Sequence, residues 1–478
     1  MTQNQSLEPV FAHIDAHFEE SVAEIQRYLR QPGISTTGEG ILESAELSRE
    51  LMESVGAIDT ELVETDGNPV VFGRINSNRP DAKTLIASSL YDLVPVNRDE
   101  WVADPFGAEI LDSKVAQTVG IPAEAGEIIL ARGAANQRGP SLAFMLTLKA
   151  IKEATGDLPC NIIFSLDGEE EIASPNWKQF LRKKEGELKA ADAAYQHGFR
   201  QNEKGRHLIH CGFKGVSLFE LVVTGGPWGG TLDGRDLWAA DMIWVHSPIQ
   251  KLLRAVEAVL DENGRSRVPG FFDDIAERAA DEEAAYEQLR NGFDEEAARK
   301  SRNIPHFRDY KPAADLFIEL ISGPILNIDG VVAGYTEAFT TVMPMKATAK
   351  FDVRIVPNQS MDKFFRSLRD HLDNEGLDMV DIVKSGGTEP GKTSPSHPLI
   401  KIADQVGVDH GVEGEIWPIS AAANPLGMYA REPFNLPILF AGLGRSGNYH
   451  VPNEWCSVEG IRDSMKWSAS FIDAWARS

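Results

Sequence analysis

The chain has 478 residues, 42% of them hydrophobic, which is enough for large cores and too long for one ordinary domain, so two or more are expected. Its formal net charge of −25 excludes nucleic acid and anionic membrane as partners, since phosphate binding needs clustered Lys and Arg. Three scattered cysteines, Cys160, Cys211 and Cys456, exclude a disulfide framework and a thiolate zinc site. With no basic-then-apolar leader and no apolar run of about 18 residues, a cytoplasmic setting is expected.

In chain order, Leu7 to Leu29 has helical spacing and stops before Pro32-Gly33. A second helix is expected from Ala45 to Val55, then strands at Pro69–Arg74 and Thr84–Ser88, the latter apolar enough to be buried on both faces. A glycine-bounded turn, Arg132 to Pro140, precedes an apolar helix over Ser141–Glu153. The apolar run at Asn161–Leu166 reads as a buried strand and opens into Asp167, Gly168 and three glutamates, Glu169, Glu170 and Glu171. Strands alternating with helices imply a largely parallel sheet. Near Gly212 the texture changes. A strand at Gly215–Thr224 is followed by a helix at Ser247–Asp261 and a charge-rich helical stretch at 276–303. Ala347–Val356 alternates apolar and polar residues, as a strand with one wet face does, and a helix follows at Ser360–Asn374. After 388 the first texture returns, with a helix at Pro398–Val408, a buried strand at Leu436–Leu443 and a closing helix at Val458–Trp475. The economical topology is an α/β domain formed by 1–213 and 388–478, interrupted by an α+β domain over 214–387.

Four loops follow buried strands or precede helices: Leu90–Pro95, Asn136–Pro140, Asp167–Ser174 and Gly444–Glu454. In a parallel sheet such loops meet at one edge. They bring Asp92, Asn136, Glu170, Glu171 and His450 together. Those residue types suit hydrolysis: carboxylate and imidazole to hold a metal, and a free carboxylate to take a proton from water.

Seven motifs carry a resemblance. They are Tyr91-Asp92-Leu93-Val94-Pro95-Val96 with Trp101 and Asp104-Pro105-Phe106; Arg132-Gly133-Ala134; Gly168-Glu169-Glu170-Glu171-Ile172 with Ser174; Val268-Pro269-Gly270-Phe271; Leu326-Asn327-Ile328-Asp329-Gly330; Arg354-Ile355-Val356-Pro357-Asn358-Gln359; and His450-Val451-Pro452-Asn453-Glu454. In this order and spacing the chain resembles the M20 metallopeptidase family, near its carnosine-dipeptidase-like branch. The resemblance implies a two-domain fold, a mixed, mostly parallel catalytic sheet with an inserted α+β lid that forms a homodimer. It also implies cleavage of an amide bond in a dipeptide or N-acyl amino acid bearing a carboxylate. By motif position Glu170 is the general base, and Glu171 and His450 are metal ligands. Asp92 orients the first metal-ligating His, Arg354 clamps the substrate carboxylate, and Asn327 is a further substrate-binding candidate.

The departures from that pattern are as informative. The family's first His ligand falls on Leu90, its bridging Asp on Asn136, and the Asp after that on Gln137. No Asp stands at Gln196–Gly198, leaving His197 as a candidate substitute, and the lid His falls on Trp238, a candidate substrate-stacking residue. Two divalent ions about 3.5 Å apart need a shared anionic bridge, which a neutral amide does not provide. The expected cofactor is therefore one divalent ion, zinc or manganese, held by Glu171 and His450 with Asn136 or His197, or no metal at all, and not a zinc pair. Two other functions stay open: a metal-independent lyase, cyclase or hydrolase on the same scaffold, and a non-catalytic small-molecule-binding homologue.

Overall fold

The computed structural model describes residues 7–478. Its larger sheet has eight strands. In spatial order they are Ile58–Val63, Val70–Ile75, Asn161–Asp167, Thr84–Leu90, Ala193–His197, Ile438–Ala441, His207–His210 and Gly414–Trp417. The central trio, Asn161–Asp167, Thr84–Leu90 and Ala193–His197, pairs in parallel, as does Ile438–Ala441 with Ala193–His197. Val70–Ile75 and His207–His210 join antiparallel, so the sheet is mixed. Its central strands are buried on both faces, which explains their unbroken apolar runs. Helices Arg138–Thr155 and Val458–Ala476 pack together on one face, with Leu142, Leu148, Ile461 and Phe471 in the core. Trp177, Phe180 and Tyr429 cover the other face.

The first helical stretch is broken in two, Glu8–Ala16 and Phe18–Leu29, around His17. Ser21 Oγ donates to the His17 carbonyl at 3.1 Å, a local bond that competes with a continuous helix.

The smaller sheet runs Ile325–Ala333, Lys346–Ile355, Gly212–Thr224, Asp381–Thr388. The alternation read in Lys346–Ile355 takes effect here. Ala347, Ala349, Phe351, Val353 and Ile355 pack under helices Pro248–Val259 and Met361–Asn374, while Lys350, Asp352 and Arg354 lie on the opposite face. The strand Gly212–Thr224 has different partners along its length. Gly212 and Phe213 pair with Lys392 and Gly391, and from Gly215 onward it pairs with Lys346–Ile355. The three cysteines are free and buried. Among the described residues no helix is long and apolar enough to cross a membrane.

Candidate active site

The strand Asn161–Asp167 ends in a sharp turn. Gly168 is required there, since a Cβ would lie 2.1 Å from the Tyr91 hydroxyl. A short 3-10 turn, Glu170–Ile172, follows, with Ala173 and Ser174 in left-handed conformation at φ 69° and 51°. Asp92 sets this turn. Its two carboxylate oxygens accept the backbone N–H groups of Glu170 at 3.2 Å and Glu171 at 3.0 Å. Asp92 is fully buried, and desolvation pushes it up to about 6. It thus orients two glutamates rather than a histidine, because Leu90, two residues earlier, is an apolar core residue. Arg138 does not hydrogen-bond Asp92. It is buried and donates to the carbonyls of Tyr91 and Gln31 and to Ser44 Oγ.

Glu171 is only 4% exposed in its side chain. Its Oε1 accepts from Asn136 Nδ2 at 2.7 Å, and its Oε2 lies 3.3 Å from His450 Nε2. Asn136 Nδ2 also lies 2.8 Å from His450 Nε2, so the three side chains form one cluster. Glu170 lies beside it and accepts from Asn424 Nδ2 at 3.2 Å. Burial pushes the Glu170 carboxyl up to about 8, helped by the negative charges of Asp92 and Asp167. Burial raises Glu171 well above the carboxylate range, with Glu170 adding to the effect. Partial desolvation lowers the pKa of the His450 ring, against the pull of Glu454.

The loop presenting His450 is strained. Asn448, His450 and Asn453 all have positive φ, at 56°, 64° and 64°. Such residues cost of order 1–3 kcal/mol each and persist where surroundings over-determine them, as at functional sites. Asn453 fixes the loop by accepting from Val102 N and donating to the Glu100 carbonyl. Glu454 fixes it further. It is fully buried, pairs with Arg132 at 2.6 Å, and accepts the N–H groups of Gly133, Ala135 and Asn136. Sequence reading placed Glu454 in a motif and gave it no role, and Asn424 was missed altogether. The available signal for Glu454 was its place beside Pro452 and Asn453, directly before the buried strand Trp455–Ser457.

Two expected site residues lie elsewhere. His197 is no ligand in this cluster: its Nδ1 meets the Tyr195 hydroxyl at 2.6 Å and its Nε2 meets Ser464 Oγ at 2.7 Å. The ring stacks on Phe144 and Trp467, and burial drives its pKa down to about 3. Both nitrogens are used by the core, leaving none for a metal. Trp238 lies in the two-residue strand Leu237–Trp238, 64% exposed, paired with Val342–Met343 on an outer arm of the chain. Arg354 and Asn327 do share a location. Arg354 Nε donates to Asp352 Oδ1 at 2.8 Å, and Asn327 Nδ2 donates to Asp352 Oδ2 at 3.0 Å.

Glu171, His450 and Asn136 are the side chains of this cluster that could hold an ion. Glu171 Oε2 and His450 Nε2, 3.3 Å apart, match two corners of a tetrahedron with metal–ligand distances of about 2.0–2.1 Å. Asn136 offers a carbonyl oxygen once its amide is turned over, an orientation assigned from hydrogen bonding. Only Glu171 brings negative charge to that cluster, and nothing at Leu90 or Gln137 supplies the ligands a second ion needs.

A mixed α/β sheet thus gathers paired glutamates and a histidine at one edge, residue types suited to hydrolysis. Residues 91–474 match the model of peptidase family M20/M25/M40. The Cys-Gly metallodipeptidase dug1 of Schizosaccharomyces pombe is 24% identical over 389 residues, covering 77% of this chain and 75% of that protein. The human Beta-Ala-His dipeptidase is 24% identical over 394 residues, covering 77% and 71%. Among solved structures, an M20 family metallo-carboxypeptidase from Sulfolobus solfataricus superposes with a TM-score of 0.85 at 28% identity, covering 96% of this chain and 100% of that one. The chain belongs to peptidase family M20/M25/M40, and its mixed α/β fold is that of the family.

Proposed function

We propose that this chain hydrolyses an amide bond in a dipeptide or N-acyl amino acid that carries a free carboxylate. The reading is carried by the Glu170–Glu171 turn, clamped by Asp92, with Glu171 joined to His450 and Asn136 and Glu170 held beside them. The names of the relatives, dipeptidases acting on Cys-Gly and on β-Ala-His, support the substrate class.

In this reading Glu170 takes a proton from the attacking water and passes it to the leaving amine. A carboxyl pushed up to about 8 stands near the operating pH, where it exchanges protons in either direction. Arg354, oriented by Asp352, receives the substrate carboxylate, and Asn327 braces the same aspartate. Glu171, His450 and Asn136 would hold one zinc or manganese ion, which would supply Lewis acidity toward the scissile carbonyl. The test is amine release from a dipeptide panel by purified protein, with and without chelator. Chelator-sensitive release supports the reading. A specific observation favours a second one, a metal-independent reaction at Glu170. The Asn136 amide nitrogen bridges Glu171 and His450 directly, at 2.7 and 2.8 Å, and chelator-resistant turnover would select that alternative.

Homodimerisation through the outer arm belongs to the same proposal. Trp238, Met242, Ile243, Trp244 and Phe339 are exposed there, Trp244 at 81%, and exposed apolar surface of this kind marks an interface. Sedimentation is expected to give twice the chain mass, and a monomer at micromolar concentration would remove this part. The cytoplasmic setting rests on the three free, buried, separated cysteines, and fractionation of cells tests it.

A further inference from the structure

A cavity of about 650 Å³ opens between the smaller sheet and the strand Ser420–Ala423. The smaller sheet gives it Asn327 and Arg354, and the segments flanking it in sequence give Arg265, Phe272, Arg308 and Tyr310. Ala421 and Ala422, on the strand Ser420–Ala423, form the wall nearest the site. Asn424, two residues past Ala422, is the donor to Glu170. Two residues of extended chain span about 7 Å, so the cavity opens within one small-molecule length of Glu170. Its volume is that of a small-molecule site, about 300–1,000 Å³.

The cavity's charge runs against the rest of the chain. The sequence carries 72 acidic and 47 basic residues, yet three guanidinium groups line this cavity against one carboxylate, Glu319. Glu319 is shared between Arg265, at 2.8 Å, and Lys311. Asp352 holds Arg354. Arg308 donates to the Asn263 carbonyl and, among the described residues, has no carboxylate partner. Arg265 lies over the rings of Phe272 and Tyr310, at 5.1 and 5.6 Å, which hold its planar group in place. A second cavity of about 490 Å³ shares Phe272, Glu319 and Pro324 with it, but there Arg278, Arg290, Lys311 and Lys392 are each paired with a carboxylate, which leaves Arg308, among the described residues, as the cation of the larger cavity with none. Guanidinium groups held in position are suited to planar carboxylates.

Resting on the reading of Glu170 as the reactive carboxylate, we propose that this cavity is a specificity pocket for an acidic side chain. The substrate is a dipeptide-like amide whose C-terminal residue bears a second carboxylate. The terminal carboxylate lies at Arg354 and the side-chain carboxylate at Arg308 and Arg265, with Phe272 and Tyr310 against the methylenes.

Glycyl-glutamate and glycyl-glutamine are nearly isosteric and differ by one charge, so they are the probes. With purified protein, calorimetric Kd and amine release are measured for both. The acidic dipeptide is expected to bind at least tenfold more tightly, and that ratio falls to near one in Arg308→Gln. Arg308 is exposed, so this variant keeps the fold, and Arg265→Gln gives an independent second reading. Equal affinities in the wild type, or a ratio unchanged in both variants, overturn the pocket. Selective binding of glycyl-glutamate through Arg308 without cleavage upholds the pocket and removes the Glu170 chemistry. Equal binding and equal cleavage of both probes do the reverse.

Discussion

Glu170→Gln lowers kcat for dipeptide hydrolysis by about 100- to 10,000-fold, the range supplied by one general acid–base group. The substitution preserves shape and the neighbouring hydrogen bond from Asn424 Nδ2, since the new amide oxygen still accepts. It removes the only function that needs a titrating oxygen. KM changes little, because Glu170 touches no group assigned to substrate binding. Steady-state kinetics on the wild type and variant decide the matter, and turnover within about twofold of wild type contradicts the assignment. Glu171 cannot stand in as the base, because its two oxygens are occupied by Asn136 and His450.

Arg132→Met destabilises the protein by about 3–5 kcal/mol, the cost of leaving a buried charge without its partner. Arg132 and Glu454 are 2% and 0% exposed and 2.6 Å apart. Glu454 also accepts three backbone N–H groups from the turn that carries Asn136, so its loss of a counter-charge reaches the site as well as the core. Trp101, whose ring lies 5.2 Å from the guanidinium, keeps its packing against the methionine. The double variant Arg132→Met with Glu454→Gln recovers part of the loss, because both buried charges are gone while the amide oxygen still accepts from the N–H groups of Ala135 and Asn136. Urea denaturation of the three proteins measures this, and a single-variant loss under about 1 kcal/mol contradicts it.

The sequence made the centre of the site legible because its signals are local. A buried strand that ends in Gly168 and two glutamates needs few other residues to be interpreted. His450 was legible through the motif around it, and the loops bearing Asp92, Asn136 and His450 do meet at one sheet edge. His197 was misread because its surroundings are non-local. Ser464, 267 residues away on the last helix, takes one ring nitrogen, and no periodicity records such a partner. Asp92 changed its role for a similar reason: with Leu90 in the core, its oxygens turn to the backbone of Glu170 and Glu171. The strands Ala193–His197 and His207–His210 escaped notice because they are short and end in histidines rather than in β-branched residues. The alternation of Ala347–Val356 was legible on its apolar face, which packs in the core, but its polar face is only partly wet: Lys350 is exposed while Thr348 and Asp352 are buried.

The most direct test of the account is a metal count joined to turnover. Protein is purified, stripped, titrated with zinc or manganese, and assayed for dipeptide hydrolysis at each step. Glu171, His450 and Asn136 predict that binding saturates at no more than one ion per chain, with hydrolysis depending on Glu170. Binding of two ions per chain, with activity that tracks the second, would contradict it.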